Sequence, residues 1–429
     1  MMLDKIFKLK KHQTTTKKEA IGGLTTFLTM AYIIFVNPDI LSESGMDKNA
    51  LITATCLAAF IGTLIVAIWA NVPFAMAPGM GLNAFFTYTL VKGEHISWET
   101  ALGVVFLSGV FFLALTLLGV REKIISAIPL SLRLAVAAGI GLFIAFIGFK
   151  NMELIISSET TLVSLGAFTK PAILGITGLL ITALLESSKV KGGILYGILF
   201  TFIGGLLTKE VLMPESFVSL PPSITPIFLK LDIMNALSLS LISAIFSFMF
   251  VDLFDSIGTA VACSYEAEMV DKNGKIEKVG KILESDAIAT IIGALIGTST
   301  TTTFIESASG ISAGARTGLA SIFTGLLFLV ALFFAPIIKS VPSFATAPAL
   351  VYIGMLMFKN VAKINYKDVS ESLPAFLTIF LMPLTYSIST GISFGFLSYV
   401  IIKVCSGKHK EINPMMLFIA GISLLNLYL

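Results

Sequence analysis

Apolar runs of about 20 residues, the length that crosses the hydrocarbon core of a bilayer, recur along the whole of this 429-residue chain. Nearly all of its charge falls in the gaps between them. Few folds accommodate such a pattern. Lipid offers no partners for backbone N–H and C=O groups, so each run must satisfy its own hydrogen bonds as a helix or be buried in protein. Composition agrees: 56% of residues are hydrophobic and 13% are charged, against roughly 25% charged in soluble domains. That is too little charge for a soluble shell. Disordered and disulfide-scaffold folds are excluded too, because they require low hydrophobicity or dense cysteine. The chain reads as an all-α polytopic membrane protein.

The charge balance of +3 is too mild to suggest a nucleic-acid partner. Cys56, Cys263 and Cys405 are far apart, so neither a disulfide framework nor a CxxC site is implied. His12, His95 and His409 lie in polar stretches, which excludes histidine-ligated metal or a histidine base within the membrane. The lysine-rich N-terminus has no apolar run followed by a small-residue cleavage site and does not read as a signal peptide.

Twelve spans are expected near 20–36, 50–70, 100–120, 131–148, 171–187, 192–208, 239–263, 281–297, 317–338, 345–359, 371–387 and 389–405. Two more, 74–92 and 298–315, are apolar but interrupted: one by Pro78, Gly79 and Gly81, the other by a threonine tract from Thr298 to Thr303. These segments make 14 crossings or part-crossings. With the N-terminus cytoplasmic, the gaps holding Arg121/Lys123, Lys189/Lys191, Lys272/Lys275/Lys278 and Lys359/Lys363/Lys367 all fall inside, as does the tail with Lys403, Lys408 and Lys410. This is the positive-inside pattern of a multi-pass protein of the cell (inner or plasma) membrane. The opposite loops, with Asp39, Glu43, Asp47, Glu153 and Glu159, are mixed or acidic. Residues 414–428 form a further, short apolar run, compatible with crossing, lying in the interface or packing against the bundle.

The two halves resemble each other in order. Residues 128–151 align with 341–360, both opening on hydrophobic-Pro and closing on Phe-Lys-Asn, and 192–205 align with 391–404. The interrupted segments stand third in each set of seven, and an odd repeat must be inserted upside down relative to its copy. Inverted repeats with broken helices at matching places mark secondary transporters with a midplane site. Extended pieces at 74–81 and 298–303 are expected to pair across the repeat axis, a role suited to β-branched threonine. Half-helices would then start at about Gly81 and Phe304, with N–H groups aimed at the protein centre.

Few acids lie well inside apolar segments: Asp252 and Asp255 in FMFVDLFDSIG, three residues apart and expected on one helix face, and Glu306 just after the second break. Carboxylates at such depth are costly and are functional candidates. Asn83 and Gly81 flank the first break, and Thr303 ends the threonine tract beside the second. Glu284 and Asp286 read as caps or loop partners, Arg316 as an anchor, and Phe85, Phe86 and Phe304 as packing. With carboxylates, an amide and no buried base, the site suits a neutral planar molecule rich in N–H donors. Buried acids without a dense cluster of oxygen ligands suit a proton as the coupling ion, with sodium as the alternative; no other cofactor or metal is called for.

At these residues the sequence resembles the nucleobase:cation symporter-2 superfamily, in its azaguanine-type purine permease branch. The matching stretches are TTFLTMAYIIFVNP (25–38), NVPFAMAPGMGLNAFF (71–86), FVDLFDSIGT (250–259) and TSTTTTFIESASGISAGARTGLAS (298–321). The resemblance implies 14 helices in two inverted sevens, divided into a core and a gate. The core would comprise 20–120 and 239–338, and the gate 121–208 and 339–405. A cytoplasmic tail (1–19), an extracytoplasmic connection (209–238) and a C-terminal tail (406–429) complete the chain. It further implies proton-coupled purine uptake by an elevator-like movement, often in a homodimer. Glu306 falls at the family's base-binding glutamate, Asp252 and Asp255 in its eighth-helix acidic motif, Asn83 at its third-helix asparagine and Gly81 at the flexible lead-in. Which of Asp252 and Asp255 contacts substrate, and which serves coupling beside Glu306, stays open.

The resulting expectation is a hypoxanthine and guanine permease, with adenine as the alternative cargo. A sulfate-permease-type anion carrier shares the repeat plan but would want a basic or neutral residue at Glu306. An enzyme is not expected, because the chain has no HExxH or Gly-Xaa-Gly-Asp motif and no histidine at membrane depth to serve as a base.

Overall fold

A computed structural model describes residues 2–119, 128–214, 216–270, 276 and 278–428. Arg121, Lys123, Lys272 and Lys275, counted above among the basic loops, lie outside the described residues. The protein is mostly helical, and among the described residues nine helices are long and apolar enough to cross a membrane.

The first half runs α1 (Met2–Phe7), α2 (Thr16–Met30), α3 (Ile33–Ser42), α4 (Lys48–Trp69), β1 (Met76–Pro78), α5 (Met80–Ala84), a wider π-type helix (Phe85–Gly93) and α6 (Trp98–Leu117). It continues with α7 (Leu130–Asn151), β2 (Ile155–Ser158), β3 (Leu162–Leu165), α8 (Lys170–Ser187) and α9 (Gly193–Leu207). The second half runs α10 (Ile233–Ala236), α11 (Ile242–Glu266), α12 (Val279–Ile296), β4 (Thr301–Thr303), α13 (Ser307–Ser312), α14 (Gly318–Ala331) and α15 (Ala335–Ser340). It ends with α16 (Ser343–Phe358), α17 (Val369–Thr385), α18 (Ile388–Cys405) and α19 (Pro414–Tyr428).

Helix starts follow ordinary capping chemistry. The side chains of Thr15, Asp47, Ser97 and Thr169 each accept a backbone N–H of the first turn they precede. Between helices, small residues allow close approach, as is common where lipid gives no hydrophobic drive. At the contact of α7 with α16, a Cβ on Gly141 would sit 2.6 Å from the Gly354 carbonyl oxygen, and one on Gly354 would sit 2.4 Å from that of Gly141. No larger residue fits this backbone-to-backbone crossing.

Two features depart from the sequence reading. Asp39, expected in a loop, lies inside α3 and is buried. It pairs with Lys48 Nζ at 3.0 Å and accepts hydroxyls from Ser343 at 3.1 Å and Thr346 at 2.8 Å. The apolar pattern ended the first span too early, because α2 and α3 continue one another through a two-residue break. The exposed hairpin β2–β3, with Ile155 opposite Leu165, was not foreseen from the helical pattern. Residues 414–428, left open above, form α19, which packs on α18 and buries Met416 and Ile419.

Glu19, buried in the first turn of α2, ties the N-terminal region to the start of α14. Its carboxylate accepts from Thr14 Oγ1 (2.7 Å), Arg316 N (2.9 Å), Thr317 N (3.2 Å), Thr317 Oγ1 (2.9 Å) and Ala320 N (3.2 Å). These are the orphan donors of a helix N-terminus, favoured by a negative charge. The Arg316 side chain donates from Nη1 to Ile311 O at 2.7 Å and Ala315 O at 2.8 Å. Glu19→Ala leaves several buried donors unpaired and should destabilise the protein by about 3 kcal/mol, lowering its melting temperature in detergent. An unchanged melting curve would contradict this role.

Candidate functional site

The centre of the bundle is made by β1 and β4, short strands that interrupt helical segments. They pair antiparallel, Met76 opposite Thr303, Ala77 opposite Thr302 and Pro78 opposite Thr301. The ladder extends at both ends, with Gly79 N donating to Thr300 O and Phe304 N to Ala75 O, each at 2.9 Å. The outward backbone edges are bracketed by hydroxyls. Thr63 of α4 takes the N–H of Met76 at 2.9 Å and lies 3.0 Å from its carbonyl oxygen. Thr290 of α12 takes the N–H of Thr301 at 3.2 Å and lies 3.1 Å from that residue's carbonyl oxygen. Pro78 stands opposite Thr301, at the position whose N–H would point away from the partner strand, so its missing donor removes no ladder bond.

Each strand leads into a half-helix: β1 into α5 and the π-type helix, β4 through Glu306 into α13. Phe85 stacks on Phe248 of α11 with centroids 4.5 Å apart and planes 8° from parallel, so it packs the π-type helix against α11 rather than lining a cavity.

Beside the crossing lies a recess of about 100 Å³, lined by Tyr32, Gly81, Asp255, Thr303, Phe304 and Glu306. It adjoins a cavity of about 560 Å³, with Gly81, Asp255, Thr259, Ile305 and Met357 common to both linings. That size falls within the range of small-molecule sites. Tyr32 OH donates to Glu306 Oε1 at 2.6 Å, fixing one oxygen of the carboxylate. The Asp255 carboxylate faces both spaces and has no hydrogen-bond or ion-pair partner among the described residues. A Cβ on Gly81 would sit 2.6 Å from Ile140 Cγ2, so glycine keeps α5 close to α7 at the cavity wall.

The structure thus brings Glu306, Asp255, Gly81 and Thr303 together at one recess. It places the other two candidates elsewhere. Asp252 is buried and turns toward α12, with one oxygen 3.2 Å from Thr290 Oγ1 and the other without a partner among the described residues. Three residues advance a helix by roughly 300°, so the two side chains stand roughly 60° apart on one side of α11, Asp252 against α12 and Asp255 toward the cavity. Asn83 is also buried and lines neither space; its Nδ2 donates to Asn37 Oδ1 at 2.6 Å. Asn37 in turn donates to Thr55 Oγ1 at 2.7 Å and Thr298 Oγ1 at 3.2 Å, joining α3, α4, α5 and the threonine tract.

Two groups were misjudged from sequence. Asp286, taken for a cap or loop partner, is fully buried in α12 and accepts from Ser256 Oγ at 2.5 Å and Thr303 Oγ1 at 3.3 Å. It lies behind the recess, because Ser256 of α11 and Thr303 of β4 pack against its turn of α12. Basic residues are not absent either: Arg133 of α7 lines the cavity, as does Lys363. Arg133 was legible as the one charged residue within the expected span 131–148.

On the face opposite Lys363, rings from separate segments meet beside a second cavity of about 500 Å³, lined by Thr89, Glu94 and Tyr386. Tyr88, Phe143 and Tyr386 meet edge to face, with centroids 5.4–6.3 Å apart, and Ile388 N donates to Thr89 Oγ1 at 3.3 Å. The Asp39 bonds tie α3 to α16.

A family model described as a permease family matches residues 17–394. A putative permease of Methanocaldococcus jannaschii is 48% identical over 98% of this chain and 97% of its own length. The guanine/hypoxanthine permease PbuG of Bacillus subtilis is 44% identical over 96% of each chain. The adenine permease AdeQ of Escherichia coli is 43% identical over 100% of this chain and 96% of its own. Among solved structures, the transmembrane domain of a cyanobacterium bicarbonate transporter, BicA, superposes with a TM-score of 0.67 over 88% of this chain and 97% of that one. At 15% identity this likeness concerns the fold alone.

Proposed function

Since the chain belongs to the permease family whose model it matches, the nucleobase:cation symporter-2 superfamily, we propose that it imports a purine nucleobase, hypoxanthine or guanine, together with protons. The observation that carries this reading is the recess at the strand crossing. There Glu306, held by Tyr32, and Asp255, with no partner among the described residues, meet beside a broken backbone. Two carboxylate acceptors at the strand crossing suit the N–H edge of a neutral planar base, and they disfavour an anion as cargo. A base bound there would be exchanged against the cavity on the Lys363 side, with the Tyr88, Phe143 and Tyr386 rings standing toward the other face.

The proposal extends to the whole architecture: 14 crossings in two inverted sevens, with the N-terminus and the Lys363 side cytoplasmic. The matched brackets Thr63 on Met76 and Thr290 on Thr301, one from each half, support the inverted repeat. In this reading a core (20–120 and 239–338) carries the strand crossing and slides against a gate (121–208 and 339–405), and two copies associate as a homodimer. Asp255 and Glu306 exchange the coupling proton as they pass between water and the dry closed site. Adenine is the second reading of the cargo, because an adenine permease stands among the relatives.

Glu306→Gln keeps the shape but removes the charged acceptor. It should reduce purine uptake by about 100-fold, roughly 3 kcal/mol of charge-assisted hydrogen bonding, while leaving the protein inserted in the membrane. Uptake of labelled hypoxanthine at wild-type affinity in this variant would contradict the site. A protonophore should stop accumulation of the base by the wild-type protein; accumulation that follows an imposed sodium gradient instead would contradict proton coupling.

A further inference from the structure

The acids of the recess account for one wall of the site only. Arg133, in the first turn of α7, lines the same cavity as Asp255. Its guanidinium lies over the Phe254 ring, 5.9 Å from the centroid. That ring is braced by Phe250 at 4.5 Å, and Phe250 by Phe396 of α18 at 5.5 Å. Stacking on an aromatic face holds a guanidinium plane in place while leaving its edge N–H groups free to donate. Arg133 has no ion-pair partner among the described residues, and its buried Nε has no hydrogen-bond partner. An oriented, partly buried arginine without a partner, lining a cavity next to an unpartnered carboxylate, lacks an acceptor of its own.

Arginine offers five donors in a rigid fork and no acceptor. A purine with a 6-oxo group presents O6 and N7 as two adjacent acceptors, the pair an arginine fork meets bidentately. Adenine presents a donor beside N7 and cannot satisfy the fork. We propose that Arg133 is the specificity-determining residue of the cavity. It reads the O6/N7 edge of a 6-oxopurine while the acids of the recess take the N–H edge. This rests on the purine reading above and sharpens it, selecting hypoxanthine and guanine over adenine.

The test is competition against uptake of labelled hypoxanthine in cells lacking their own purine transport, using hypoxanthine, 7-deazahypoxanthine and adenine. In the wild type, loss of N7 should weaken inhibition roughly 10- to 100-fold, the effect of one charge-assisted hydrogen bond. Arg133→Met should weaken hypoxanthine by a similar factor, leave 7-deazahypoxanthine little changed, and narrow the gap between hypoxanthine and adenine. Arg133→Lys, which keeps the charge but not the fork, should restore uptake in part without restoring the N7 preference. A hypoxanthine to 7-deazahypoxanthine ratio unchanged between wild type and Arg133→Met overturns the role of Arg133 and leaves the purine reading standing. So does a wild-type ratio near one, which decides the matter even where the variants fail to insert. A wild type that takes up no purine overturns both.

Discussion

The pairing of β1 with β4 is the contact on which the rest of the protein depends. Breaking two apolar segments at one depth exposes backbone groups that lipid cannot satisfy, and each break supplies the other's partners. What the strands leave over is taken up by Thr63 and Thr290, so neither edge of the two-stranded sheet is left bare. The half-helices can then start at mid-depth and bring Gly81 and Glu306 to one recess, which no unbroken helix could do. Remove the pairing and the site loses its floor.

The buried polar groups sort themselves by how completely they are satisfied. Glu19 and Asp39 are saturated by N–H, hydroxyl or ammonium donors and act as fixed struts. Asp286 is held by Ser256 and Thr303, and through Thr303 it stiffens the wall of the recess. Glu306 keeps one oxygen on Tyr32, whereas Asp255 and Arg133 face the cavity with no hydrogen-bond or ion-pair partner among the described residues. A base with both donors and acceptors would meet both signs at once.

Much of this was legible in the sequence, for stated reasons. The two breaks were visible because Pro78, Gly79, Gly81 and a threonine tract disfavour helix in an otherwise apolar run. Glu306 and Asp255 stood out because intramembrane charge is rare. What stayed hidden was set by rotation and by packing between distant segments. Sequence spacing could not tell that Asp252 leans on Thr290 while Asp255 meets the cavity, that Asn83 spends its amide on Asn37, or that α11 and β4 pack over Asp286. Asp39 was misplaced for the same reason that Arg133 was passed over. A charge near the end of an apolar run reads as a loop residue until the neighbouring helices are in place.

The central claim is that a purine base lies at the strand crossing, held by the Glu306 and Asp255 carboxylates. The most direct measurement is an experimental structure of the protein in lipid with hypoxanthine or guanine bound. The account predicts density for the base in the recess between β1 and β4, with an N–H edge within hydrogen-bonding distance of Glu306. A base seated away from that crossing, with Glu306 still bonded only to Tyr32, would contradict it.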